Sequence, residues 1–141
     1  MLKFIYIRWE IKMDELKLTN DLLTGEETVD YQHRILISCI NDLIRANKLS
    51  ENVDLVVEIT LDELVKYTVH HFADEERIMK ERGYTDLPQH HKQHQDFTDK
   101  VLAYKARHGN GEKVIDDFLK FLVAWLVTHI KHEDQIALKN K

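Results

Sequence analysis

The sequence predicts an all-α protein, an up-down-up-down antiparallel four-helix bundle preceded by an N-terminal arm, and three observations predict it. The 141 residues are 43% hydrophobic and 32% charged with 4 Gly and 1 Pro, a composition that favours long helices over a turn-rich sheet protein. Apolar residues recur at spacings of three, four and seven along four successive stretches, the period of amphipathic helices. The connectors between those stretches are short, and short connectors oblige consecutive helices to pack as antiparallel neighbours. The length suits one domain spanning residues 1–141.

Residues 1–27 are read as the arm, because Thr19, Asn20, Asp21, Thr24 and Gly25 break any continuous helical pattern. Within it residues 1–12 read as an extension, with Met13 offering an alternative start. A first helix over about 28–47 is marked by Val29, Leu36, Ile40 and Leu43. Ser50 suits the N-cap of a second helix over 51–82, with Val53, Val57, Leu61, Leu64 and Ile78 on one stripe and Gly83 to close it. Pro88 fits the first turn of a third helix over 87–108, whose stripe of Phe97, Val101 and Tyr104 ends at Gly109-Asn110-Gly111. A fourth, over 112–136, carries Val114, Phe118, Leu122 and Trp125.

The formal charge of -5, from 20 basic and 25 acidic residues, is spread along the chain without a basic stripe, so nucleic acid is not an expected partner. The apolar run in MLKFIYIRW is too short for a signal-peptide core or a membrane span, and the lone Cys39 excludes an intramolecular disulfide. A cytoplasmic location and no membrane partner are expected; Cys39 reads as a small buried side chain.

The unusual figure is 9 His. Extending the second helix's stripe from Val57 and Leu64 by sevens reaches His71 and Ile78, and Glu75 lies one turn beyond His71. His70 falls with Glu63, Lys66, Asp74 and Arg77 on a solvated face. The third helix's stripe runs back to His94 and His90, while His91 accompanies Gln95 and Thr98. His33 precedes Leu36 by three and Ile40 by seven, and His129 continues the spacing of Phe118, Leu122 and Trp125. Each helix thus points at least one imidazole inward.

One inward histidine is ordinary core. Five with a carboxylate are not, because burying each uncompensated polar group costs about 1–3 kcal/mol, a sum comparable to a small domain's whole stability. A metal removes that cost. Imidazole with carboxylate suits iron, zinc or manganese, and five imidazoles exceed the four ligands one zinc ion ordinarily takes. Two ions sharing bridging carboxylates would use them all. A second acid should follow His129, and spacing leaves Glu133 and Asp134 open. Glu133 is better aligned, whereas Asp134 lies about 140° round an ideal helix.

These residues resemble the hemerythrin family, especially its bacterial single-domain members. Val29-Asp30-Tyr31-Gln32-His33 followed by Asn41-Asp42-Leu43 resembles the family's first-helix signature. His71-Phe72-Ala73-Asp74-Glu75-Glu76, with Tyr67 before and Met79 after, resembles the second. His90 and His94 with Phe97, and Trp125-Leu126-Val127-Thr128-His129-Ile130 through Asp134, resemble the third and fourth. The resemblance covers about residues 24–136.

It implies a non-haem di-iron centre with a bridging oxo or hydroxo group. His90, His94 and His129 would hold one iron, His33 and His71 the other, and Glu75 and Asp134 would bridge them. The choice of Asp134 over Glu133 is the resemblance's, and the off-face spacing then predicts a local widening of the fourth helix. The two-histidine iron would keep an open position for dioxygen, walled by Leu36, Phe72, Trp125, Leu126 and Ile130, whose ordinary reading as core does not conflict. One departure is the arm: the family's bacterial members carry a Trp nearer the first histidine, whereas Trp9 lies 24 residues before His33.

The expected function is reversible dioxygen binding, as carrier, store or delivery protein to an oxygen-using enzyme. The alternatives are a di-iron enzyme acting on peroxide, oxygen or nitric oxide, and an oxygen or iron sensor. Oligomeric state is left open.

Overall fold

The computed structural model describes the backbone of residues 4–7 and 10–138, and side chains from Asp14 to Leu138. Trp9 lies outside the described residues. Four long helices dominate: α1 (Glu27–Leu49), α2 (Val53–Glu81), α3 (Leu87–Gly109) and α4 (Ile115–His129). α4 continues through a π-helical turn, Ile130–Asp134, into a short α5 (Gln135–Leu138). The inward stripes are those read from the sequence, from Val29, Leu36, Ile40 and Leu43 on α1 to Phe118 and Leu122 on α4. Trp125 differs in being only half-buried.

Three of the four helix ends close in the same way. At the end of α2 the Tyr84 amide donates to the Met79 carbonyl and the Gly83 amide to Lys80, each at 3.0 Å, with Gly83 at φ +77°. This is the Schellman pairing, which needs a left-handed residue. Gly111 serves α3 likewise. At the end of α1 that role falls to Ser50, at φ 55°, which corrects its reading as an N-cap. Its hydroxyl starts nothing; Asn52 precedes α2, and its side chain makes no capping bond.

The arm is more ordered than expected. Strands β1 (Phe4–Ile7) and β2 (Glu10–Met13) pair antiparallel, Phe4 opposite Met13. The aromatic and β-branched residues of FIYI and Ile11 in EIKM suit a strand pairing. A 3-10 turn at Asn20–Leu22 follows. Asn41 holds the arm's backbone from both sides, its Oδ1 accepting from the Leu16 amide (2.7 Å) and its Nδ2 donating to the Leu16 carbonyl (2.9 Å). Buried Asp30 accepts from the Thr24 amide and hydroxyl, both at 2.8 Å, and from the Gly25 amide. Gln135 Nε2 donates to the carbonyl of Leu23 at 3.0 Å.

The core is divided. A large apolar cluster fills most of the bundle, with Leu43, Leu61, Leu64, Phe118 and Leu122 among its members. A small one, Val29, Ile78, Met79, Ala137 and Leu138, closes one end. Between them lies a layer of buried polar side chains. No helix among the described residues is long and apolar enough to cross a membrane.

Candidate metal centre

The polar layer is set by position along each helix. His33 lies near the start of α1, His71 and Glu75 near the end of α2, His90 and His94 near the start of α3, and His129 ends α4. That start-end-start-end order is what an up-down-up-down bundle requires for the side chains to meet. All six, with Asp134, are almost wholly buried.

The two carboxylates stand between two sets of imidazoles. Glu75 Oε1 lies 2.9 Å from His94 Nε2 and 3.1 Å from His90 Nε2, while its Oε2 lies 3.2 Å from His71 Nε2 and 3.3 Å from His33 Nε2. Asp134 repeats the arrangement: Oδ1 is 3.0 Å from His90 and 3.1 Å from His129, and Oδ2 is 3.1 Å from His33. Each acid thus turns one oxygen to the set His90, His94, His129 and the other toward His33 and His71. Donor atoms close enough to share one cation form two groups, Glu75-His90-His94-His129-Asp134 and His33-His71-Glu75.

Asp134 arrives by the π turn. One residue more per turn rotates it off the face it would hold on an ideal α-helix, the widening that its spacing predicted. Glu133 instead borders a surface concavity lined also by Gln93, Trp125, Thr128 and His129. His70 and His91, set aside as surface residues, have side chains 73% and 64% exposed. His132 is exposed too.

His94 Nδ1 donates to Glu76 Oε2 at 2.8 Å, and His71 Nδ1 donates to Gln32 Oε1 at 2.6 Å. With Nδ1 so engaged, each ring turns its Nε2 toward Glu75. His94 Nε2 also faces His129 Nε2 at 3.1 Å. Both Asp134 oxygens are buried without a directed hydrogen bond. Lone pairs facing anions in a dry interior call for a cation. Without metal, protons supply it: burial opposes charge on His33, His90 and His129, yet Asp134 and Glu75 raise His33 and His90 to about 10 and His129 to about 9. Burial would push Glu75 and Asp134 up, but the surrounding histidines hold both below the usual carboxylate range.

The outer partners Gln32 and Glu76 were not singled out from the sequence. Their signal was membership of the first- and second-helix signatures, Gln32 beside His33 and Glu76 beside Glu75, with no role attached to either.

Aromatic rings pack on the three-histidine set: Phe72 stacks on His94 with centroids 3.8 Å apart, and Trp125 on His129 at 4.3 Å. Behind them Leu36, Phe72, Trp125 and Leu126, with Ile40, Leu64, Thr68, Phe97 and Leu122, enclose a cavity of about 10 Å³. Ile130 does not line it. It is buried beneath a neighbouring groove of about 610 Å³ between the arm, α1 and α4, which it shares with Leu16, Ile37, Leu126 and Lys131. Cys39 packs half-buried against the core, and burial pushes its thiol up to about 11.

Comparison with known proteins follows the same residues. The sequence matches the Hemerythrin HHE cation binding domain over residues 24–139. It is 37% identical over 122 residues to the Bacteriohemerythrin of Pseudomonas aeruginosa, covering 86% of this chain and 78% of that protein. Against the Myohemerythrin of Theromyzon tessulatum it is 37% identical over 108 residues, 77% of this chain and 78% of the relative. The crystal structure of wild-type hemerythrin superimposes with a TM-score of 0.72 at 27% identity, covering 82% of this chain and 88% of that one. A bundle of this shape, with its histidines and acids gathered at one end and its sequence matched over nearly the whole bundle, belongs to the hemerythrin family.

Proposed function

We propose that the protein binds dioxygen reversibly at a non-haem di-iron centre. His90, His94 and His129 would hold one ion and His33 and His71 the other, with Glu75 and Asp134 shared between them. The observation that carries this reading is the division of the carboxylate oxygens. Each acid gives one oxygen to each imidazole set, which suits a pair of ions and wastes half its donors on one. The donor set fits iron, since imidazole and carboxylate suit it and no thiolate is near. When bound, iron supplies the electrons by which dioxygen is held and released.

The chain's own residues do the rest. Gln32 and Glu76 keep protons on the outer nitrogens of His71 and His94, so that their inner nitrogens face the centre as ligands. The end cluster of Val29, Ile78, Met79, Ala137 and Leu138 covers the polar layer on one side, and the main core covers it on the other. Water is thereby kept from a site whose charges depend on a low dielectric. Leu36, Phe72, Trp125 and Leu126 wall a cavity of about 10 Å³, close to the least space that holds one water-sized molecule, about 10–15 Å³. Thr68, the polar residue on that wall, donates its hydroxyl hydrogen to the Leu64 carbonyl at 2.5 Å. It therefore has no hydrogen left for a guest.

The test is anaerobic loading with ferrous iron, metal analysis, and absorption spectra before and after admitting oxygen and again after removing it. Two irons per chain and a visible band that appears and disappears are expected. A colourless protein that prefers zinc would overturn the reading.

A second reading, an enzyme acting on peroxide, oxygen or nitric oxide, is supported by the concavity that reaches His129 beside the acid Glu133. It requires fast decay of the oxygenated form to the ferric state, slowed in Glu133→Gln. Equal, slow decay in both proteins favours carriage.

A further inference from the structure

We infer that Glu76 and Gln32 are positioning residues that give the two metal positions unequal hold, the charged Glu76 acting through His94 and the neutral Gln32 through His71. The inference rests on the ligand assignment proposed above. An imidazole that offers Nε2 to a metal carries its proton on Nδ1, and whatever accepts that proton fixes the ring and tunes its basicity.

The five clustered rings are not backed alike. Nδ1 of His33 and of His90 is buried with no hydrogen-bond partner among the described residues, and His129 borders the open concavity. Side-chain acceptors stand behind His94 and His71, one in each set. Behind His94 is a carboxylate. Its second oxygen lies 2.7 Å from Nδ1 of the exposed His91, so Glu76 is fixed at both ends across α2 and α3. Behind His71 is an amide. Gln32 Nε2 donates to Asp74 Oδ2 at 2.8 Å, which orients the amide so that its oxygen faces the ring at 2.6 Å.

A hydrogen bond to an ionised acceptor is roughly twice as strong as one between neutral groups. Glu76 therefore draws the His94 proton outward and enriches Nε2 more than Gln32 can for His71. The charged backing coincides with the set that already has three imidazoles, so the second sphere widens the difference that ligand number begins. The three-histidine position is built to retain its ion, and the two-histidine position to stay exchangeable and open.

The experiment uses the full chain loaded anaerobically with ferrous iron and then mixed with excess colorimetric ferrous chelator. Wild type should hold two ions and release them in two phases, one ion each. Glu76→Gln should speed the slow phase by about 10–100-fold and leave the fast one alone. Glu76→Asp should restore part of the retention. The pair Gln32→Glu with Asp74→Asn, which keeps a donor facing the new carboxylate, should slow the fast phase, a gain that no loosening of structure produces. His91→Ala, which leaves Glu76 itself in place, should speed the slow phase by a smaller factor. Unchanged phases, or both phases sped alike by Glu76→Gln, would overturn the inference while two bound ions kept the ligand assignment standing. Wild type holding fewer than two ions would overturn both.

Discussion

The two halves of the bundle are built on the same helical stripes and held together by opposite means. Along α1 the stripe that begins with His33 continues as Leu36, Ile40 and Leu43; along α2 it passes from Leu61 and Leu64 to His71 and Glu75. The apolar half is stable on any terms that bury hydrocarbon. The polar half stands only while a cation, metal or proton, sits among its lone pairs and carboxylates. One half therefore keeps the fold, and the other makes part of its stability conditional on what is bound.

The largest test of that contrast is Asp134→Asn. It removes a buried charge facing His33, His90 and His129, and breaking a buried pair costs about 3–5 kcal/mol. Urea unfolding of the metal-free protein should show that loss, and bound iron should fall below two per chain. Glu133→Gln, one residue away, should change stability by less than about 0.5 kcal/mol and leave iron content unaltered. Equal effects at the two positions would erase the distinction between them.

Leu43→Ala probes the other half. Deleting a fully buried leucine should cost about 2–5 kcal/mol with and without metal, while iron content stays at the wild-type value.

The pH dependence should change sign with the metal. In the metal-free protein His33, His90 and His129 are raised from 6.5 to about 10, 10 and 9. The stability they contribute is complete below about pH 6.5 and is lost as pH rises through 9 to 10. The lowered Glu75 and Asp134 act oppositely, their contribution failing in acid below the usual carboxylate range. Metal displaces the imidazole protons, so iron affinity should instead rise with pH over the same alkaline window. Unfolding midpoints and iron competition titrations across that range measure the two trends. Parallel trends would break the proton-for-metal exchange.

The smallest effect lies far from the site. Ser50→Gly relieves a left-handed serine at φ 55° and should stabilise by about 0.5–1 kcal/mol, read as a raised melting temperature with unchanged iron.

What the sequence made legible follows from the range of each interaction. His33, His71, Glu75, His90, His94 and His129 were readable because the helical period repeats within a few residues of each. Asp134 was not, since ideal periodicity turns it away and a π turn has no comparable local pattern. Gln32 and Asp30 were visible as letters, but their work is done across space: Gln32 serves a ring 39 residues on. Ser50 was misread because the same residue type suits a helix start, whereas its place in the Schellman pairing depends on the backbone it happens to occupy.

The π turn has a consequence beyond aiming one carboxylate. The fourth helix carries one residue more than its path through the bundle requires, and the surplus is absorbed between Ile130 and Asp134. Wind the same residues as regular α-helix, with none removed, and everything after the turn would be rotated by about 100°, so that Ala137 and Leu138 would leave the seats they share with Val29, Ile78 and Met79. The irregularity is thus a counting device, setting in one stroke where the Asp134 carboxylate points and where the turn Gln135–Leu138 comes to rest.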